Sequence, residues 1–182
     1  MRPPLDLEHI VTRALALLDA YGLASLTMRS LADDLGIRPS ALYWHVENKQ
    51  TLLAAVADRI VSSASASAEL GVGVGAAARA VRAALLAHRD GAEVVLSSAA
   101  LGLGGLGVAE RMRDALGGDG QELAAQVLAQ FVLGHASLVQ QRIQAATLGA
   151  YDADPDAVAH EFDEQFDAGI DALTRGLAIT AR

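Results

Sequence analysis

The stretch from Ala32 to Leu53, ADDLGIRPSALYWHVENKQTLL, decides the fold. Gly36 breaks the chain, and Pro39 stands where proline is tolerated, in the first turn of a helix. The spacing predicts a short helix over Pro39–Val46. At about 100° per residue, Leu42 and Val46 point inward together. Ser40 and Trp44 fall nearly opposite, with Ala41 and Tyr43 on the flanks. This outward face carries no carboxylate. The chain's single lysine, Lys49, follows in the first turn of the next helix, which Asn48 can cap. Small residues and hydroxyls allow close approach to a duplex and hydrogen bonds to phosphates or base edges. The amide hydrogens of a helix start can share a phosphate with an ammonium. Arg29, near the start of the preceding helix, and Arg38, just before Pro39, add reach toward a base or phosphate.

Outward from this stretch the pattern is helical. Asp6 caps a helix over Leu7–Tyr21, with Ile10, Ala14, Leu17 and Leu18 at helical spacing and Gly22 as its stop. Thr27 caps a second helix that ends near Leu35. Short helices around a glycine turn make a helix-turn-helix unit. The helix from Asn48 carries Leu52, Leu53, Val56 and Ile60 inward, then fades into SSASASAELGVGVG, Ser62–Gly75. This is the candidate boundary between a domain over 1–61 and a second helical domain over 62–182. Further helices are expected at about Ala76–His88, Ala92–Ala99, Val108–Leu116, Gln121–Leu148 and Asp156–Leu177. No Asp or Glu stands between Glu122 and Asp152, so the long helix should be buried on more than one face. Phe162, Phe166, Ile170, Leu173 and Leu177 form the stripe of the last.

Composition agrees with an all-α chain. Hydrophobic residues make up 52% of 182, which argues against disorder, and period-two runs are missing. The absence of cysteine excludes disulfides, thiolate metal sites and a cysteine nucleophile. No apolar stretch approaches the roughly 20 residues that span a bilayer, so a cytoplasmic chain with no membrane partner is expected. The net charge of -8 is unevenly shared. Residues 1–61 hold six cations and seven anions; residues 62–182 hold eight and fifteen. The first unit can approach a polyanion, while the second is repelled by one.

Other motifs read as structure. HRDG, His88–Gly91, reads as a helix end with His88 and Arg89 complementing the dipole. GLGGLG, Gly102–Gly107, follows no strand and lacks a lysine, so it reads as a flexible connector. HEFDE, His160–Glu164, reads as a solvated acidic face. An enzyme needs acids, bases or a metal converging in a cleft, and the carboxylates here are scattered. No catalytic residue, cofactor or metal is therefore expected. Two function classes stand: a DNA-binding regulator, and a small all-α ligand-binding protein or enzyme whose helix-turn-helix is only architectural. A gel shift against the upstream DNA separates them.

The segment LTMRSLADDLGIRPSALYWHVENKQTLLAAV resembles the DNA-binding domain of the tetracycline-repressor (TetR) family. LLAHRDGAEVVL, Leu85–Leu96, and VLGHASL, Val132–Leu138, resemble the tetracycline-repressor subgroup. The resemblance implies an all-α homodimer that binds double-stranded operator DNA. It makes residues 1–61 the helix-turn-helix DNA-binding domain and residues 62–182 the ligand-binding and dimerisation domain. It implies a repressor released by a small-molecule effector. It assigns Arg29 to a base, and Thr27, Tyr43 and Lys49 to phosphates, with His45 near the backbone. The family's tetracycline repressor reads bases with Gln, Pro and Thr where Pro39, Ser40 and Ala41 stand here, which implies a different operator.

The same resemblance places the drug's magnesium-binding groups at Ser65, Val95 and Ile143, none a good ligand for a hard cation. An asparagine and an aromatic of the drug pocket are replaced by Ala77 and Val81. A mainly apolar effector, bound without metal, is expected instead. Its candidate contacts are Val81, Leu85, Val95, Leu96, Leu101 and Met112. On the long helix they are Phe131, His135, Leu138 and Gln141, with His135 and Gln141 orienting the ligand.

Overall fold

The computed structural model of the protein describes residues 5–64, 73–150, 152 and 154–180. Among them are nine helices and no strand: α1 Leu7–Tyr21, α2 Met28–Leu35, α3 Pro39–Leu42, α4 Lys49–Ser63, α5 Val74–Leu86, α6 Gly91–Ala100, α7 Gly107–Ala115, α8 Glu122–Thr147 and α9 Pro155–Thr180. The expected all-α architecture is present.

The three caps read from the N-terminal unit form. Asp6 Oδ1 accepts from the His9 amide at 2.8 Å. Thr27 and Ser30 satisfy each other's amides in a capping box. Asn48 Oδ1 accepts from the Thr51 amide at 2.9 Å. Gly36 takes the left-handed conformation, φ 64°, that turns the chain from α2 to α3. The third helix is shorter than the expected Pro39–Val46. Its regular part ends at Leu42, because the amides of His45 and Val46 converge on one carbonyl, that of Leu42, at 3.0 and 3.1 Å.

One buried cluster runs from Ile10 and Leu18 on α1 to Phe166 and Ile170 on α9. α4 packs on both α1 and α6, so it belongs to both halves of the chain. Ser65 and most of the Ser62–Gly75 stretch lie outside the described residues. α4 itself continues to Ser63.

Three expectations are corrected. GLGGLG is no free connector. A Cβ on Gly104 would lie 2.7 Å from the Ala54 carbonyl oxygen, and the Gly105 amide donates to Asp58 Oδ1 at 2.7 Å. The loop between α6 and α7 is thus pressed onto α4. His88 and Arg89 do not sit on the last turn of α5, which ends at Leu86. The apolar length of the long helix was also underestimated: α8 is long and apolar enough to cross a membrane by length and composition. Its packing against α5, α6, α7 and α9 accounts for that composition, as for the core helix of a helical domain.

The acidic side of α9 reaches back to α5. Asp163 and Asp167 pair with Arg82 and Arg79, each at 2.7 Å. The His160 side chain lies outside the described residues.

Candidate nucleic-acid interface

Burial sorts the residues of α3 as the rotation argument requires. Leu42 and Val46 are buried. Pro39, Ser40, Tyr43, Trp44 and His45 are exposed, and Ala41 is half-buried. Trp44 is 89% exposed and Tyr43 50%, an unusual outlay for two large rings. Four residues cannot hold a helix by hydrogen bonding alone. Pro39 presets its first turn, and the buried Leu42 and Val46 anchor it.

The described cations of this unit divide in two. Arg13 is bidentate to Asp34, Nε to Oδ2 at 2.9 Å and Nη2 to Oδ1 at 2.8 Å, tying α1 to α2. The hydrogen bond from Arg13 holds the Asp34 carboxyl below the usual carboxylate range. Arg59 pairs with Glu8 at 3.4 Å. By contrast, Arg38 and Lys49 have no intrachain hydrogen bond or ion pair among the described residues. Arg29 touches Asp33 only at 4.0 Å, with both side chains mostly in solvent, a pairing worth little. The positive charge left uncommitted therefore flanks α3. A helix start at Lys49, with exposed Thr27 nearby in sequence to α2, adds neutral donors of the kind phosphates accept.

The ten effector candidates do not converge on one cavity. Val81, Leu85, Val95 and Met112 are wholly buried in the core. Leu96 lines a cleft of about 410 Å³ between α6, α7 and α8. Leu106, Val108, Ala129 and Leu133 supply apolar wall, and Gln126 and Gln130 the amides. Among the described residues no charged side chain lines it. Leu101 and Leu138 are exposed, and so is Gln141. His135 and Gln141 stand six positions apart, well off a whole number of turns; His135 is half-buried and Gln141 exposed, so within one chain they face different surroundings. The pattern showed which helix was apolar, not which face met which neighbour.

His135 instead enters an aromatic cluster. Its ring lies 5.0 Å from Phe166 and 5.8 Å from both Phe131 and Phe162, centroid to centroid. Among the described residues neither ring nitrogen has a hydrogen-bond partner. Burial, then the charge of Arg82, push its pKa below the ordinary histidine value. The unfolded chain takes up this proton near pH 6.5, the folded chain only lower. The unfolded state therefore binds more protons in that window, and stability falls as the pH drops through about 6.5. His135→Leu should remove this contribution. Melting followed by circular dichroism from pH 8 to pH 5.5 should show the variant gaining on the parent as the solution is acidified. Parallel curves would refute it.

Comparison with known proteins follows the same geography. The family described as bacterial regulatory proteins, tetR family, matches residues 10–56. The tetracyclin repressor-like C-terminal domain matches residues 73–163. The class E tetracycline repressor protein of Escherichia coli is 40% identical over 96 residues, covering 50% of this chain and 46% of that protein. The aligned region thus spans about half the length of such curated relatives. BioQ of Mycobacterium smegmatis is 36% identical, with a TM-score of 0.82 over 97% of this chain and 99% of that one. BioQ with its double-stranded DNA operator is 34% identical, with a TM-score of 0.77 over 96% and 99%. ActR of Streptomyces coelicolor, in complex with (S)-DNPA, is 29% identical, with a TM-score of 0.74 over 99% and 100%. With both family domains matched in order and the whole fold shared, this chain belongs to the TetR family of bacterial regulatory proteins.

Proposed function

We propose that the chain is a homodimeric transcriptional repressor that binds a near-palindromic operator in the cytoplasm and is released by a small, mainly apolar molecule. The observation that carries this is the division of cations: those remote from α3 are paired, and those around it are left for a partner. The exposed rings of Tyr43 and Trp44 on the same face add to it. That a similar protein is known with its DNA operator, and another with a small molecule, supports both halves of the reading. No catalytic role is assigned to any residue.

In this reading residues 1–61 hold the DNA and residues 62–182 dimerise and take the effector. Thr27, Arg38, Tyr43, His45 and Lys49 contact the backbone, while Arg29, Ser40, Ala41 and Trp44 approach base edges beside Pro39. α8 and α9 supply the dimer face. α8 leaves an uncharged exposed stripe of Gln130, Gly134, Leu138 and Gln141, and α9 one of Gln165, Ala168, Ala172 and Gly176. Such stripes permit close helix approach in a four-helix interface. Gln141 and Leu138 then belong to that face. The effector site is the α6–α7–α8 cleft, whose apolar walls and two amides suit an uncharged ligand. Val95 and Ile143, where the resemblance places metal-binding groups, carry hydrocarbon side chains and offer no metal ligand.

The direct test is fluorescence anisotropy with duplex DNA from upstream of the chain's own coding sequence. Binding should be tight there and weaker on scrambled DNA. Lys49→Ala should weaken both and lower the salt slope by about one. Arg29→Ala should cost about 1–3 kcal/mol more on the operator than on scrambled DNA if it reads a base bidentately. Equal losses from Arg29→Ala would confine it to the backbone. No binding to any duplex at low salt would end the reading. Release by apolar compounds should persist in chelator; magnesium-dependent release by tetracycline would overturn the metal-free site.

A further inference from the structure

The HRDG turn between α5 and α6 touches the DNA-reading unit more closely than a helix end requires. The Asp19 carboxylate of α1 accepts from His88 Nδ1 at 3.0 Å and from the Arg89 amide at 3.1 Å. Arg89 Nη1 donates to the Ala20 carbonyl at 3.4 Å. Asp90 Oδ2 accepts from the Leu23 amide at 2.7 Å, just past the end of α1. From the other side, Gln140 of α8 holds the same turn. Its Nε2 donates to the His88 carbonyl at 2.8 Å, and its Oε1 accepts from the Ala92 amide at 3.0 Å. A continuous polar path thus runs from α8 through the turn to the C-terminal end of α1.

The backbone is shaped for this contact. Asp90 is the one non-glycine residue at positive φ among the described residues, at 55°. That conformation is tolerated by aspartate but still costs energy. Gly91 admits no side chain, since a Cβ there would meet the Leu85 carbonyl oxygen at 2.6 Å. Gly22, at φ 80°, leaves the space that Arg89 and Asp90 fill; a Cβ would lie 3.0 Å from Arg89 Nε and from Asp90 Oδ2. Strain and close approach meet where the two units join, apart from the α4 connection.

We propose that His88–Gly91 and Gln140 form an interdomain clasp that fixes the angle of the DNA-reading unit against α8, making Asp19, Asp90 and Gln140 positioning residues for operator spacing. α4 supplies the covalent connection between the units. The clasp removes the remaining rotation about it. Opening the clasp releases that rotation without unfolding either unit.

The absence of cysteine makes a direct measurement simple. Spin labels at Ala16→Cys and Glu110→Cys, both exposed, report the distance between the two units within one chain when labelled protein is diluted with unlabelled. The parent should give a narrow distribution. Asp19→Ala, Asp90→Gly and Gln140→Leu should each broaden it, and Asp90→Asn, which keeps an acceptor oxygen, should restore it. Asp90→Gly also relieves the positive-φ strain, so its fold should survive whatever the other variants do. Unchanged distributions in folded variants would overturn the clasp, leaving α4 and apolar packing to set the angle. The second arm rests on the proposed function: operators with half-site spacing altered by one base pair. Clasp variants should lose roughly tenfold of the parent's discrimination between spacings. Broadened distances in a chain that binds no duplex would still support the clasp while refuting the DNA reading.

Discussion

Phe166→Ala should lower the stability of the chain by about 3–5 kcal/mol, at the upper end for a buried aromatic. The ring is 1% exposed at the centre of the α5–α8–α9 junction. Phe131 stacks on it at 5.8 Å, His135 meets it edge-on at 5.0 Å, and the Arg82 guanidinium lies 5.0 Å over its face. Alanine leaves a cavity and strips Arg82 of its cation–π partner. Arg82 is itself nearly buried, with its Nε lacking a hydrogen bond among the described residues, so it cannot turn to water without giving up Asp163. The helices cannot close the gap by approaching, because Gly169 already stands against the Phe131 ring. Urea unfolding should show a lower midpoint with an unchanged slope. A loss under about 1 kcal/mol would mean that α9 repacks freely, unlike the rigid interiors of most domains.

The contrast between Phe166 and His135 shows how far the sequence could be read. Five apolar residues spaced along α9 were enough to place Phe166 inward, because one helix's periodicity is a local property. His135 needed the relative rotation of α8 and α9, which is a property of two helices and of the loop between them. Its imidazole looked like a ligand contact because a polar group on an apolar helix needs a partner. In the fold it faces three phenylalanines instead. The DNA-facing unit was more legible because it is short-range: caps at Asp6, Thr27 and Asn48, a glycine turn and one buried leucine act within a few residues. The clasp was missed although HRDG was noticed. Its partners, Asp19 and Gln140, are about 50 to 70 residues away along the chain, and nothing local names them. The positive-φ Asp90 just before Gly91 was the available clue, since aspartate at such a turn has a side chain free to reach elsewhere.

Leu42→Ala and Trp44→Ala, two residues apart, should fail in opposite ways. Leu42 is fully buried on a helix of four residues, and with Val46 it fixes where the outer face points. Its truncation should cost about 2–5 kcal/mol through lost transfer energy and an unfilled cavity. Operator binding should fall further than the unfolded fraction explains, because a loosened α3 must be reordered on the DNA. Trp44 lies 89% in solvent, so its removal should change stability by no more than about 0.5 kcal/mol. Its effect should appear only with DNA, as a weaker operator complex in a protein with parental melting. Denaturant unfolding and anisotropy titration of both variants separate the cases. If Trp44→Ala destabilises the free chain as much as Leu42→Ala does, the ring is a packing residue and the outward face of α3 has been assigned to the wrong side. If Trp44→Ala leaves both stability and DNA affinity untouched, the groove is met by Tyr43 and Ser40 without it.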